Sequence, residues 1–236
     1  MRVLNRRRVP AMQSHTAPHE QVDSQLPSLS PARLKQIPHD AWLELRKEAT
    51  SVEIDHFGDK VLLRPDGTYI KLFRRKRLLS SAAWSPYAQR FADNAAALRA
   101  RQIPCPRVID VFRIPSIKRD AVHYHPLPGD TLRDLIAKPM SPLDRAYLRD
   151  AFNRFVRRLH DLGIYFRSLH LGNVVLVPNG ELGLIDISDI RIHRGPLSMF
   201  WRKRNLKRLE GITDERGWLD RELILSPRSI PEGTSR

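Results

Sequence analysis

Asn173 and Asp186 have the side-chain types and the setting for phosphate chemistry, and Lys71 is a charged residue in an unusual place. Asn173 precedes the apolar run Val174 to Val177, and Asp186 follows the apolar run Leu182 to Ile185. Between the runs lies Pro178-Asn179-Gly180-Glu181, a turn with Asn-Gly at its centre. Asn-Gly favours a two-residue hairpin loop because both residues tolerate positive φ. That register pairs Val177 with Leu182 and Val174 with Ile185, and it sets Asn173 opposite Asp186. A carboxylate and an amide oxygen then emerge together, both hard ligands of the kind Mg²⁺ takes when phosphates complete its shell. Alone, each residue is more commonly a cap or turn residue. Lys71 lies inside the apolar strand Tyr69 to Phe73, where a lysine either has a functional role or simply points outward to solvent. Val61-Leu62-Leu63 precedes it across Pro65-Asp66-Gly67-Thr68, and a two-residue Asp-Gly turn sets Leu62 opposite Lys71.

The elements that must hold these residues are legible. A short helix starts at Asp40 and carries Trp42 and Leu45. Ser85-Pro86 opens a helix with Tyr87, Phe91, Ala95 and Leu98 on one face, ending near Gln102. Strands follow at Val108 to Phe112 and around Ala121 to His125, then a linker from Pro126 to Gly129. Thr131 caps a short helix, and Ser141-Pro142 opens the longest one, with Leu148, Phe152, Phe155 and Leu159 in its apolar stripe and Gly163 beyond its end. His123 and His125 read as strand residues. Asp189 offers a further carboxylate and belongs to the loop after Asp186.

Composition narrows the class. The 236 residues are 41% hydrophobic and 28% charged, enough for an ordinary core. Lys and Arg number 41 against 26 Asp and Glu, a net charge of +15 that calls for an anionic partner. With one cysteine, Cys105, no intramolecular disulfide or cysteine-rich zinc site is possible. No apolar run is long enough for a transmembrane helix, and the Arg-rich start lacks the apolar region of a signal peptide. The expected place is the cytoplasm, with a peripheral position at the inner membrane as a further expectation. Residues 1–38 read as a disordered tail, 39–126 and 127–210 as two lobes, and 211–236 as a second tail. Leu197 to Leu209 is amphipathic and strongly basic; it suits an anionic membrane surface, or else a solvated helix face. Arg74-Arg75-Lys76-Arg77 forms a second cluster. Nucleic acid competes as the partner, but no zinc-finger or aromatic RNA-binding motif is present.

The segment Gly163 to Ser188 resembles the catalytic core of the protein-kinase-like superfamily. It is most similar to bacterial lipopolysaccharide-core kinases of the Kdo/heptose group and to the toluene tolerance proteins among them. In that family a loop H-x-D-x-x-x-x-N follows a long helix, and a hairpin then ends in D-x-G/S. The corresponding residues are Phe166 to Asn173 and Asp186-Ile187-Ser188, with Asn173 and Asp186 13 positions apart. Leu169-His170-Leu171-Gly172-Asn173 also resembles the loop of aminoglycoside phosphotransferases. The resemblance, over roughly residues 50 to 210, implies an α+β two-lobed protein-kinase-like fold: an N-lobe of antiparallel sheet plus one helix, and a short, mainly helical C-lobe. It implies ATP and Mg²⁺ as cofactors, with Lys71 on the nucleotide phosphates and Asn173 and Asp186 on the metal.

Three departures matter. Ser168 stands where the family has its catalytic aspartate. A neutral hydroxyl is a poor proton acceptor. His170 reads first as a structural loop residue and second as a substitute base. Asn94 stands where the helix supplies a glutamate to the lysine, so a lysine–amide hydrogen bond is expected. Gly58 is the lone glycine where a phosphate-binding loop belongs, and an ordinary tight turn explains it equally well. The expected activity is phosphorylation of an anionic small or lipid-linked hydroxyl acceptor, such as a lipopolysaccharide-core sugar. The alternatives are a pseudokinase with a regulatory role and a basic nucleic-acid binder. Only 50 residues follow Asp186, which favours a small acceptor over a protein one.

Overall fold

The computed structural model describes residues 34–75, 86–212 and 215–226. Their order is β1 (Lys35–Gln36), α1 (His39–Lys47), β2 (Thr50–Asp55), β3 (Gly58–Leu63), β4 (Tyr69–Arg74), α2 (Tyr87–Arg99), β5 (Arg107–Ile114) and β6 (Arg119–His125). Then come β7 (Asp130–Thr131), α3 (Leu132–Ala137), α4 (Pro142–Asp161), β8 (Ile164–Phe166), β9 (Val174–Leu176), β10 (Leu182–Leu184), β11 (Ile190–Ile192), α5 (Met199–Glu210) and α6 (Arg221–Leu225). The described residues thus form a mixed α+β structure with six helices. Its main sheet has the order β1-β5-β6-β4-β3-β2.

Strand alternation divides the core. Along β4, Ile70 and Leu72 face one side and pack with Trp42 of α1, Leu62, Phe112 and Ala121. Phe73 faces the other side and packs on the larger cluster, which runs from Phe91 and Leu98 of α2 through Phe152, Phe155 and Leu159 of α4 to Ile224 of α6. Lys71 therefore points toward α2 and the helical layer. The helix starts behave as expected: Thr131 accepts from the Asp134 amide, and Ser141 from the Asp144 amide. Gly163 ends α4 at φ +74, where a Cβ would lie 2.4 Å from the Gly195 carbonyl oxygen.

Both predicted hairpin registers are off by one residue, for one reason. Val61 pairs with Lys71 and Leu62 with Ile70; Leu182 pairs with Leu176 and Leu184 with Val174. Each loop has three residues, Pro65-Asp66-Gly67 and Pro178-Asn179-Gly180. A two-residue loop would put proline in the closing pair, where an N–H is needed and proline has none. Proline takes the first turn position instead, and glycine follows at positive φ, +77 at Gly67 and +87 at Gly180. Asp66 and Asn179 brace the loops by accepting from the Thr68 and Glu181 amides, respectively.

Other expectations need correction at the ends. The main sheet is mixed rather than antiparallel, because β1 runs parallel to β5, pairing Lys35 with Phe112. Lys35–Gln36 joins the sheet and the Ile37 amide donates to the Arg113 carbonyl, so this stretch is not part of a tail; residues 1–33 lie outside the described residues, as do Lys76, Arg77 and Ser85. The first helix begins at His39 with Asp40 in its first turn, and α2 ends at Arg99. Residues 215–226 are not a tail either. Trp218 and Ile224 are buried. The Asn153 amide donates to the Trp218 carbonyl at 2.8 Å, and its oxygen accepts the Asp220 amide at 2.7 Å.

His160 ties three elements together. It is fully buried on α4, and its Nε2–H donates to Asn205 Oδ1 of α5 at 3.0 Å. The Asn205 amide donates in turn to the Phe166 carbonyl of β8 at 2.7 Å. Burial pushes the imidazole pKa down to about 4 from an ordinary 6.5. As pH falls below 6.5 the unfolded chain takes a proton that the folded chain refuses, so stability drops until pH 4. The loss should reach about 3 kcal/mol. In His160→Gln, whose amide can still donate to Asn205, urea denaturation should show this part of the acid sensitivity gone; an unchanged pH profile would assign it elsewhere.

Candidate functional site

Lys71 is 8% exposed, and an ammonium so placed needs a partner. Its Nζ donates to Asp186 Oδ1 at 2.6 Å. Asp186 follows β10 at φ +52, a left-handed conformation that aspartate tolerates better than most residues. Its side chain is 44% exposed, so the carboxylate meets Lys71 with one oxygen and remains open to solvent.

The loop from Arg167 to Asn173 supplies the facing wall. Asn173 does not sit opposite Asp186; its carbonyl accepts the Ile185 amide at 3.0 Å, as the three-residue loop requires. Asn173 Nδ2 donates to the Ser168 carbonyl at 2.8 Å, which fixes the amide and leaves Oδ1 as its ligand-type atom. His170 Nδ1 lies 3.3 Å from Arg133 Nη2. A guanidinium only donates, so this nitrogen is the lone-pair one and Nε2 carries the proton. Burial, with the positive Arg133 beside it, lowers the His170 pKa. The imidazole is neutral, with its lone pair already engaged.

Glu215 holds this loop from below. It is 3% exposed, accepts from Arg133 Nε at 2.9 Å and takes the buried Leu171 amide at 2.8 Å. Nothing near Glu215 in sequence marks this role. Asp189 is the other residue whose role sequence reading missed: Ser168 Oγ donates to its Oδ2 at 2.5 Å, and Arg167 Nε lies 3.3 Å from the same oxygen. Its position three residues after Asp186 was the available signal.

A cleft of about 490 Å³ gathers Lys71, His170, Asn173 and Asp186, with Val61, Tyr124 and Val175 on its apolar side. The size suits a small ligand. Ser168, Asn94 and Gly58 are not among its lining residues. The expected bond from Lys71 to Asn94 is replaced: Asn94 Nδ2 donates to the carbonyls of Ile187 at 2.7 Å and Ile190 at 3.3 Å, pinning the turn after Asp186 to α2. Gly58 closes a two-residue turn with Asp55, at φ +102, away from the cleft. His123 accepts or donates to Thr68 Oγ1 within the sheet at 2.7 Å.

The donor set fits a hard divalent cation. Asp186 brings a half-exposed carboxylate and Asn173 an amide oxygen to the same cleft, two protein ligands of the number Mg²⁺ takes when phosphates and water complete its octahedron. No protein-family model and no curated protein matches this chain.

Asn94→Asp tests the turn. It keeps the shape but faces two carbonyl oxygens with a carboxylate. We expect a loss of roughly 3 kcal/mol in urea denaturation, from lost donors and charge burial. Unchanged stability would mean that the bonds to Ile187 and Ile190 are not made in solution.

Proposed function

We propose that the chain is an ATP- and Mg²⁺-dependent phosphotransferase with a two-lobed protein-kinase-like fold, of the lipopolysaccharide-core kinase type, acting on a small or lipid-linked hydroxyl. One observation carries the reading: the buried Lys71 ammonium, held on Asp186 within a cleft that also presents Asn173. The element order supports it. A lysine strand, a helix, two strands, a linker, a long helix, a loop and a hairpin ending in Asp186 follow one another as that fold requires.

In this reading Lys71 binds the nucleotide phosphates, and Asp186 and Asn173 hold Mg²⁺, which supplies charge neutralisation for the transferred phosphoryl group. The ion pair keeps Lys71 positioned before nucleotide arrives. Val61, Phe91 and Tyr124 offer an apolar wall for a base. Phosphoryl transfer has a loose transition state, so positioning and charge outweigh base strength. Ser168 marks the place of the acceptor hydroxyl in this reading, with its own hydroxyl hydrogen-bonded to Asp189. His170, its lone pair turned to Arg133, orients the loop and is not the base.

A pseudokinase is the second reading, favoured by Ser168: its hydroxyl is turned to Asp189, and the residue is not part of the cleft lining. The enzyme reading requires nucleotide binding; the pseudokinase reading does not. Calorimetric titration should show Mg²⁺-dependent ATP binding that falls at least tenfold in Lys71→Ala and in Asp186→Ala, with both variants folded by circular dichroism. No binding by the wild type would remove the enzyme and leave the pseudokinase scaffold. Given binding, Ser168→Asp separates them: a gain in phosphate transfer to lipopolysaccharide-core sugars marks an enzyme limited by its base, and no transfer by either form marks a pseudokinase.

A further inference from the structure

Helix α5 carries its charge on one side. Asn205, Leu206 and Leu209 are buried, and Arg202 is spent on Asp161 at 2.5 Å and on the Leu197 carbonyl. Phe200, Lys203, Arg204, Lys207 and Arg208 are exposed, at the three- and four-residue spacings of a single helix face. With Tyr165 and Arg167 they line a groove of about 590 Å³ that has no carboxylate in its wall. Of the five cations, Arg167 alone is ion-paired among the described residues, with Asp189. Lys203 with Lys207, and Arg204 with Arg208, are like-charge pairs one turn apart, which weaken a free helix. The adjoining hollow shares Arg167 and its partner Asp189 and adds Arg90 and Arg191, three arginines against one carboxylate.

The same helix begins with exposed apolar side chains. Phe200 is 64% exposed and Met199 46%. Behind them Trp201 packs on Tyr165 and His193, with ring centroids 5.0 and 5.3 Å apart. A cationic face with a single ion pair and apolar side chains at its rim matches the boundary between lipid headgroups and acyl chains, where charge and apolar area act together. A soluble polyanion would use the cations and leave Phe200 and Met199 in water.

We propose that this groove docks the chain on an anionic bilayer, with lipid phosphates among Arg167 and the α5 cations, and Phe200 and Met199 entering the acyl boundary. The site uses neither Lys71 nor Asp186, so it stands or falls apart from the nucleotide reading.

The test is co-sedimentation of the full chain with vesicles of phosphatidylcholine alone, and of phosphatidylcholine mixed with phosphatidylglycerol. Binding is expected only to the mixture, with a blue shift of tryptophan emission. Each basic side chain at such a surface is worth about fivefold in affinity, so Lys203→Glu with Lys207→Glu should weaken binding at least ~25-fold. Phe200→Ser should weaken it further and reduce the blue shift. Both changes are at exposed positions and should leave the circular dichroism unchanged. Equal binding to neutral vesicles, or no effect of the charge reversals, overturns the proposal. So does single-stranded RNA or inorganic polyphosphate that displaces the vesicles with an affinity indifferent to Phe200→Ser, which would assign the groove to a soluble polyanion.

Discussion

An ammonium group placed inside a sheet must be matched by a carboxylate, and here one carboxylate does so. Lys71 and Asp186 are 115 residues apart, so their contact joins the main sheet to the β9–β10 hairpin. Much of the neighbouring structure serves this contact. β4 alternation turns Lys71 toward α2. Asn94 pins the turn that follows Asp186. Asn173, fixed by the Ser168 carbonyl, is brought beside the pair. Such a pair is a weak source of net stability, because desolvation cancels most of the attraction. In the proposed reading its value lies in exchange: an arriving anion takes over the ammonium while a cation takes over the carboxylate, and the charge balance of the cleft is kept.

Cations occur in this chain in two physical situations. In the cleft, Lys71 and Arg133 are each matched to a carboxylate and held in one geometry. On α5, Lys203, Arg204, Lys207 and Arg208 are unmatched among the described residues and remain exposed. Matched charges give positioning; unmatched charges give long-range attraction. The net charge of +15 mixes the two, and composition alone does not separate them.

The elements were largely legible, because helices and strands leave local signals. Ser141, Thr131 and Gly163 marked helix ends through the hydrogen bonds and backbone angles they permit. Local pattern also put Lys71 on its strand and Asn173 and Asp186 at the ends of theirs, though not opposite the partners expected. What was lost is what local pattern does not contain. Asn-Gly and Asp-Gly suggested two-residue loops, but the preceding prolines lack the N–H that closes them, and each register moved by one. The two-residue strand β1 is too short to show a period. Asn94 was placed on the right helix face, yet its partners are backbone carbonyls more than 90 positions away. Glu215 fell in the segment read as a second tail, and only its burial distinguishes it.

That last residue sets an order on the making of the molecule. A chain leaves the ribosome from its N-terminus, and its sheet and long helix are available before its later segments. Leu171 and Arg133 belong to the earlier material, while the carboxylate that satisfies both arrives 44 and 82 residues later. Until then the loop has a buried amide without an acceptor and an arginine without its anion. The cleft wall is therefore among the last parts to acquire its final form, and a nascent chain can have its sheet in place while its most polar loop is still unsettled.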